Sequence, residues 1–155
     1  MYGNIRIPKA DVTGVDDALL GDQCDENLKS LAHMAVASLL GCSFSLDLGY
    51  ARMHNDGLDE AKARQVPRWR ESGVFTPLER DVLEYAEAMS QTPLTVTDAL
   101  SARLLDAIGA AALVELTACV ALANLDARNN IALGLTSQGL SAACNLEPLA
   151  LPVAA

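Results

Sequence analysis

Cys42 follows Gly41 at the start of a helix-like stretch, G-C-S-F-S-L-D-L-G-Y. A sulfur at a helix start faces unpaired backbone N–H groups and the positive end of the helix dipole, both of which favour a thiolate. A dithiol redox centre needs its second sulfur three residues on, one helical turn away, so that the pair can close a reducible disulfide. Ser45 stands at that position. A hydroxyl can neither close a disulfide nor carry a charge at neutral pH. Cys42 can therefore be oxidised to a sulfenic acid, with no local thiol to resolve it. The competing reading of Cys42 is a small buried hydrophobe, the usual role of a free cysteine. The remaining cysteines, Cys24, Cys119 and Cys144, are scattered, and none has the Cys or His spacing of a zinc site. No metal and no cofactor is expected.

Other polar residues sit where chemistry is possible. Glu115 is the only charge between Asp106 and Asp126, inside L-V-E-L-T-A-C-V-A-L-A-N-L. A carboxylate there is either paired or raised in pKa by desolvation; it pins helix packing or acts as a general acid or base. His33 lies in the most apolar stretch and reads as a satisfied core histidine. His54 comes seven residues after Asp47, with Tyr50 between, so the three share a helix face that either lines a cleft or is simply solvated. Arg128-Asn129-Asn130, after the last apolar run, suits a carboxylate, a set of helix carbonyls or a neighbouring subunit.

The chain that positions these groups has 155 residues, 51% of them apolar and only 4% aromatic. That excludes global disorder and favours helices rich in Ala and Leu over sheets. With 11 basic and 20 acidic residues, the net charge of −9 argues against nucleic acid and anionic membrane surfaces as partners. The N-terminal M-Y-G-N-I-R-I-P-K-A-D-V has no secretory pattern, so a reducing, cytoplasmic compartment with free thiols is expected. Residues 30–46 carry no Asp, Glu, Lys or Arg, but His33, Gly41 and several serines make a buried core helix the better reading than a membrane span.

Residues 1–16 lack periodicity and read as extended. Apolar residues crowd every side of a helix from about Asp25 to Leu40, which makes it central. Gly41 should break it, and a second helix should run from Cys42 to Asn55, with Gly57 as a left-handed stop. D-E-A-K-A-R-Q-V-P predicts a short polar helix ended by Pro67. Thr76-Pro77-Leu78-Glu79 predicts a capping box and a helix through Val82, Tyr85, Ala86 and Met89. A helix from Thr97 or Asp98, with Leu100, Leu104, Leu105 and Ile108 on one face, should stop at Gly109. A long one follows from Ala111 to Leu133. After Gly139 the tail either packs on a neighbouring surface or is loose. No segment alternates with period two, so the fold class is all-α.

Displacing the chain by 85 residues aligns Leu28 with Leu113, Leu31 with Leu116, Leu40 with Leu125, Leu48 with Leu133 and Gly49 with Gly134. This predicts two similar units, each an apolar helix, a small-residue break and a further helix, packed face to face. The organisation read from the chain is an N-terminal extension (1–24), a helical domain (25–139) and a tail (140–155).

The segments G-C-S-F-S-L-D-L-G-Y-A-R-M-H-N-D-G-L-D-E-A-K-A-R-Q-V-P-R-W, F-T-P-L-E-R-D-V-L-E-Y-A-E-A-M and L-V-E-L-T-A-C-V-A-L-A-N-L-D-A-R-N-N-I-A-L-G-L-T-S-Q-G closely resemble the carboxymuconolactone decarboxylase family. That family includes the alkylhydroperoxidase D-like (AhpD-like) proteins, and the resemblance spans roughly residues 25–140. It implies an all-α fold with an internal two-unit repeat and a homo-oligomer, a trimer or hexamer. It places Glu115 at a recurring position near Arg128. For the peroxidase branch it implies a C-x-x-C pair, a Glu in the preceding helix and a His four residues after the second Cys. Here those positions hold Cys42, Ser45, Ser30 and Gly49. The missing cysteine is the one that attacks peroxide in the family.

Three functions follow as expectations. One is a thiol-dependent, peroxiredoxin-type oxidoreductase on a degenerate motif, centred on Cys42 and Ser45. Another is a non-redox decarboxylase or lyase acting on a small acidic substrate through Glu115, His33 or His54, and Arg128. The last is a catalytically silent oligomer that binds a small molecule or a protein.

Overall fold

The computed structural model describes residues 21–55, 59–146 and 149. The expected extension over residues 1–16 and the stop at Gly57 lie outside the described residues, as does most of the tail beyond 146. Among the described residues every regular element is helical.

Helix α1 (Glu26–Leu40) is the hub, packing against all the longer helices. Asp25 caps it, its carboxylate accepting the N–H groups of Asn27 and Leu28. Leu28, Leu31, Ala32, Met34, Ala35, Val36 and Ala37 are all buried, so most of the helix surface is covered by neighbouring elements. Gly41, at φ 75°, ends it: its N–H reaches Ser38 O at 3.2 Å and that of Cys42 reaches Ala37 O at 2.9 Å. These are the two bonds of a Schellman closure, which needs the left-handed backbone that glycine tolerates.

The next helix, α2 (Ser43–Asn55), starts directly after Cys42. The short α3 (Glu60–Gln65) follows, capped by Asp59. The α-helix stops at Gln65, just ahead of Pro67, as the sequence suggested, but Pro67 does not end the helical path. It lies early in a 3₁₀ segment, Val66–Glu71, where its missing N–H leaves no bond unmade. That segment buries Trp69 between the guanidinium groups of Arg70 and Arg80, at 4.3 and 5.4 Å from the ring centre.

Helix α4 (Pro77–Met89) has the expected capping box: Thr76 Oγ1 accepts Glu79 N–H and Glu79 Oε2 accepts Thr76 N–H. Helix α5 (Asp98–Ala132) is bent at Gly109, whose φ of 79° and ψ of 170° interrupt the helical backbone. By length and composition it could cross a bilayer, yet Leu100, Leu104, Leu113, Leu116 and Val120 place it in the core against α1 and α4.

The two apolar helices thus pack face to face, as the repeat predicted. The units differ in one respect. The first breaks at Gly41, whereas α5 passes unbroken through the equivalent Asp126, where Ala127 is buried and supports the helix. A final turn, α6 (Leu140–Ala143), docks on α2. The tail therefore packs, at least as far as Leu146, which is buried.

Candidate functional site

Cys42 and Ser45 are both buried at the start of α2. The Cys42 thiol donates to Ser45 Oγ at 3.2 Å, and its sulfur accepts the Ser45 backbone N–H at 3.4 Å. The Asn130 side-chain amide, from the end of α5, donates to the same Ser45 Oγ at 3.1 Å. One turn of helix therefore brings the two side chains together as the spacing required, and the group facing the sulfur is a hydroxyl. All four cysteines are free.

Residues of α1, α2 and α5 line an open cleft of about 280 Å³, which neither Cys42 nor Ser45 borders. Ser30 and His33 reach it from α1, Gly49 and Arg52 from α2, Cys119 and Asp126 from α5. Ser30 and Gly49 are the positions that lack the Glu and His of the resemblance. Gly49 has given its space away: a Cβ there would lie 3.1 Å from His33 Nδ1 and 3.0 Å from Met34 Cγ. His33 is thus a cleft residue more than a core one. Burial lowers its pKa, Arg52 lowers it further and Asp126 partly opposes them, so the imidazole is neutral at pH 7.

Glu115 is the paired carboxylate that the sequence allowed. Its Oε1 meets Lys29 Nζ at 2.6 Å, and its Oε2 accepts the N–H of Gln23 at 2.8 Å and of Cys24 at 3.2 Å. Burial pushes its pKa up, but these three donors outweigh burial and hold it below the ordinary carboxylate range. Lys29 also pairs with Glu26 at 2.5 Å. The Cys24 thiol beside them is pushed up to about 12, by burial first and then by Glu115. Burial likewise raises the Cys119 thiol, although Lys29 opposes it. Neither thiol is activated.

The remaining expected groups lie elsewhere. His54 is exposed at the end of α2, outside the cleft. Asp47 clasps the tail, accepting from Ser137 Oγ, Leu140 N and both the N–H and Oγ of Ser141. Burial opposes these four bonds, which nevertheless hold its pKa down to about 2. Tyr50 donates to Glu60 at 3.2 Å. Arg128 reaches Ser90 O at 3.4 Å, so of the roles the sequence left open it takes that of serving helix-end carbonyls. Sequence reasoning missed Lys29, Arg52 and Asp126. Lys29 carried a signal, as the only Lys or Arg in α1.

An all-α bundle with a motif at the start of its second helix defines the class. The fold resembles the crystal structure of a protein of unknown function from Agrobacterium tumefaciens, for which an AhpD antioxidant defence role has been suggested. The TM-score is 0.70 at 20% identity, covering 79% of this chain and 85% of that one. The profile of the carboxymuconolactone decarboxylase family matches residues 9–88, and the chain belongs to that family. It is also 41% identical over 116 residues to the uncharacterized protein YnjA of Escherichia coli (strain K12). The match covers 75% of this chain but 64% of YnjA, less than two thirds of that relative.

Proposed function

We propose that the chain is an AhpD-like family member whose dithiol centre has been reduced to one thiol, Cys42, so that it does not run a two-cysteine peroxide cycle. The observation that carries this reading is Ser45 Oγ at 3.2 Å from Cys42 Sγ, where a second sulfur would close the disulfide. In a peroxiredoxin-type cycle one thiolate attacks the O–O bond, giving a sulfenic acid and an alcohol. A second thiolate then displaces hydroxide, which leaves as water, to form the disulfide. With a hydroxyl at 45 the second step has no local sulfur. Peroxide consumption with an external dithiol tests this on the parent, Ser45→Cys and Cys42→Ala. Turnover is expected only in Ser45→Cys; turnover in the parent that Cys42→Ala abolishes would overturn the reading.

A second reading is non-redox acid–base chemistry in the cleft. It is supported by His33, a neutral imidazole among convergent polar groups. Glu115 enters there as an anchor of Lys29, whereas His54 and Arg128 take no part. A homo-oligomer, trimer or hexamer, in a reducing cytoplasm accompanies either reading. Leu122, Leu125, Ile131, Leu133 and Leu135, all exposed, line the end of α5 and the turn beyond it, as a subunit interface would. Light scattering on the purified chain checks the assembly.

A further inference from the structure

The charges around the cleft fall into two groups. Glu26, Lys29 and Glu115 are bound to one another, with one negative charge left over. Arg52, on α2, and Asp126, on α5, line the cleft with neither ion pair nor side-chain hydrogen bond among the described residues. Both act on the imidazole of His33, which lines the same cleft, with opposite sign. The apolar part of the lining is formed by Leu48, Leu122 and Ala123.

We infer that this cleft takes a small zwitterion of the α-amino-acid class, its carboxylate on Arg52, its ammonium on Asp126 and its aliphatic part against Leu48 and Leu122. The inference rests on the cleft being the working site and goes beyond the acidic substrate first expected there. A plain carboxylate would satisfy Arg52 but would leave Asp126 facing it, in a lining that already carries an uncompensated negative charge. A plain amine would satisfy Asp126 and leave Arg52 repelling it. A ligand with both charges meets both, and a cleft of about 280 Å³ suits a molecule of that size.

The test is calorimetric titration of the full chain at neutral pH with L-leucine, with isocaproate (the same skeleton without the amine) and with isoamylamine (without the carboxylate). Leucine is expected to bind about tenfold or more tighter than either. Arg52→Gln should make leucine no better than isoamylamine, and Asp126→Asn should make it no better than isocaproate. Both residues are exposed, so the variants should fold. Isocaproate binding as tightly as leucine, indifferent to Asp126→Asn, would overturn the zwitterion and leave the cleft reading standing. No heat from any of the three, with no movement of the His33 ring resonances, would overturn both.

Discussion

The imidazole of His33 occupies the space that a side chain at position 49 would need, its Nδ1 lying 3.1 Å from the Cβ position of Gly49. Glycine at this point of α2 is not there for its backbone, which is helical. It is there for its neighbour.

Gly49→Ala is therefore expected to act through His33 and Met34. Overpacking of this kind costs about 1–3 kcal/mol, and His33, the softer neighbour because it borders the cleft, should move first. Denaturant unfolding would show the loss. The ring resonances would show the imidazole titrating closer to its ordinary value, because it is pushed towards water.

The His33 titration itself carries a sign for each charged neighbour. Its pKa lies below the ordinary 6.5 through burial and Arg52, against the pull of Asp126. Arg52→Gln should raise it and Asp126→Asn should lower it, both readable by NMR. The unfolded chain takes up this proton near pH 6.5 and the folded chain only at lower pH. The stability that His33 contributes is accordingly lost as pH falls below about 6.5, and Asp126→Asn should make that loss larger.

Glu115 and Lys29 form a nearly dry pair, with side chains 4% and 15% exposed. Glu115→Leu leaves Lys29 to Glu26 and takes the acceptor from the Gln23 and Cys24 N–H groups, so alone it should cost about 1–3 kcal/mol. Lys29→Met combined with Glu115→Leu should cost less than the two single changes added together. A double-mutant cycle in urea measures the difference.

Asp47 holds the tail. Its pKa of about 2, against an ordinary value of 3.8, means that its bonds are worth about 2 kcal/mol above pH 4 and are lost as pH falls from about 4 through 2. Asp47→Asn should remove most of that contribution at neutral pH. Hydrogen exchange at the Leu140 and Ser141 amides, which the carboxylate accepts, should accelerate before exchange elsewhere in the core.

The fold was legible because its signals are local. Apolar residues crowding α1, the Thr76–Glu79 box and the glycines at 41 and 109 each state their own geometry. The Cys42–Ser45 contact was legible too, since one turn of helix fixes it. The cleft was not. His33 looks like a core residue until Gly49, on another helix, is seen to make room for it. Arg52 and Asp126 lie 74 positions apart and reach the same cleft only through packing. Asp47 illustrates the same limit: helix spacing set it beside Tyr50 and His54, while its actual partners come from the tail more than 90 residues on.

The Glu115 carboxylate also bears on the order in which the chain assembles. It holds the N–H groups of Gln23 and Cys24 from 92 and 91 residues away, just ahead of the cap of α1. That entry segment cannot be secured until α5 has docked, so it closes late, after the loop joining them has lost its freedom. Bonds formed after the rate-limiting step leave refolding rates untouched and slow only the reverse reaction. Damage at Glu115 should therefore shorten the lifetime of the folded chain while leaving the speed with which it forms unchanged.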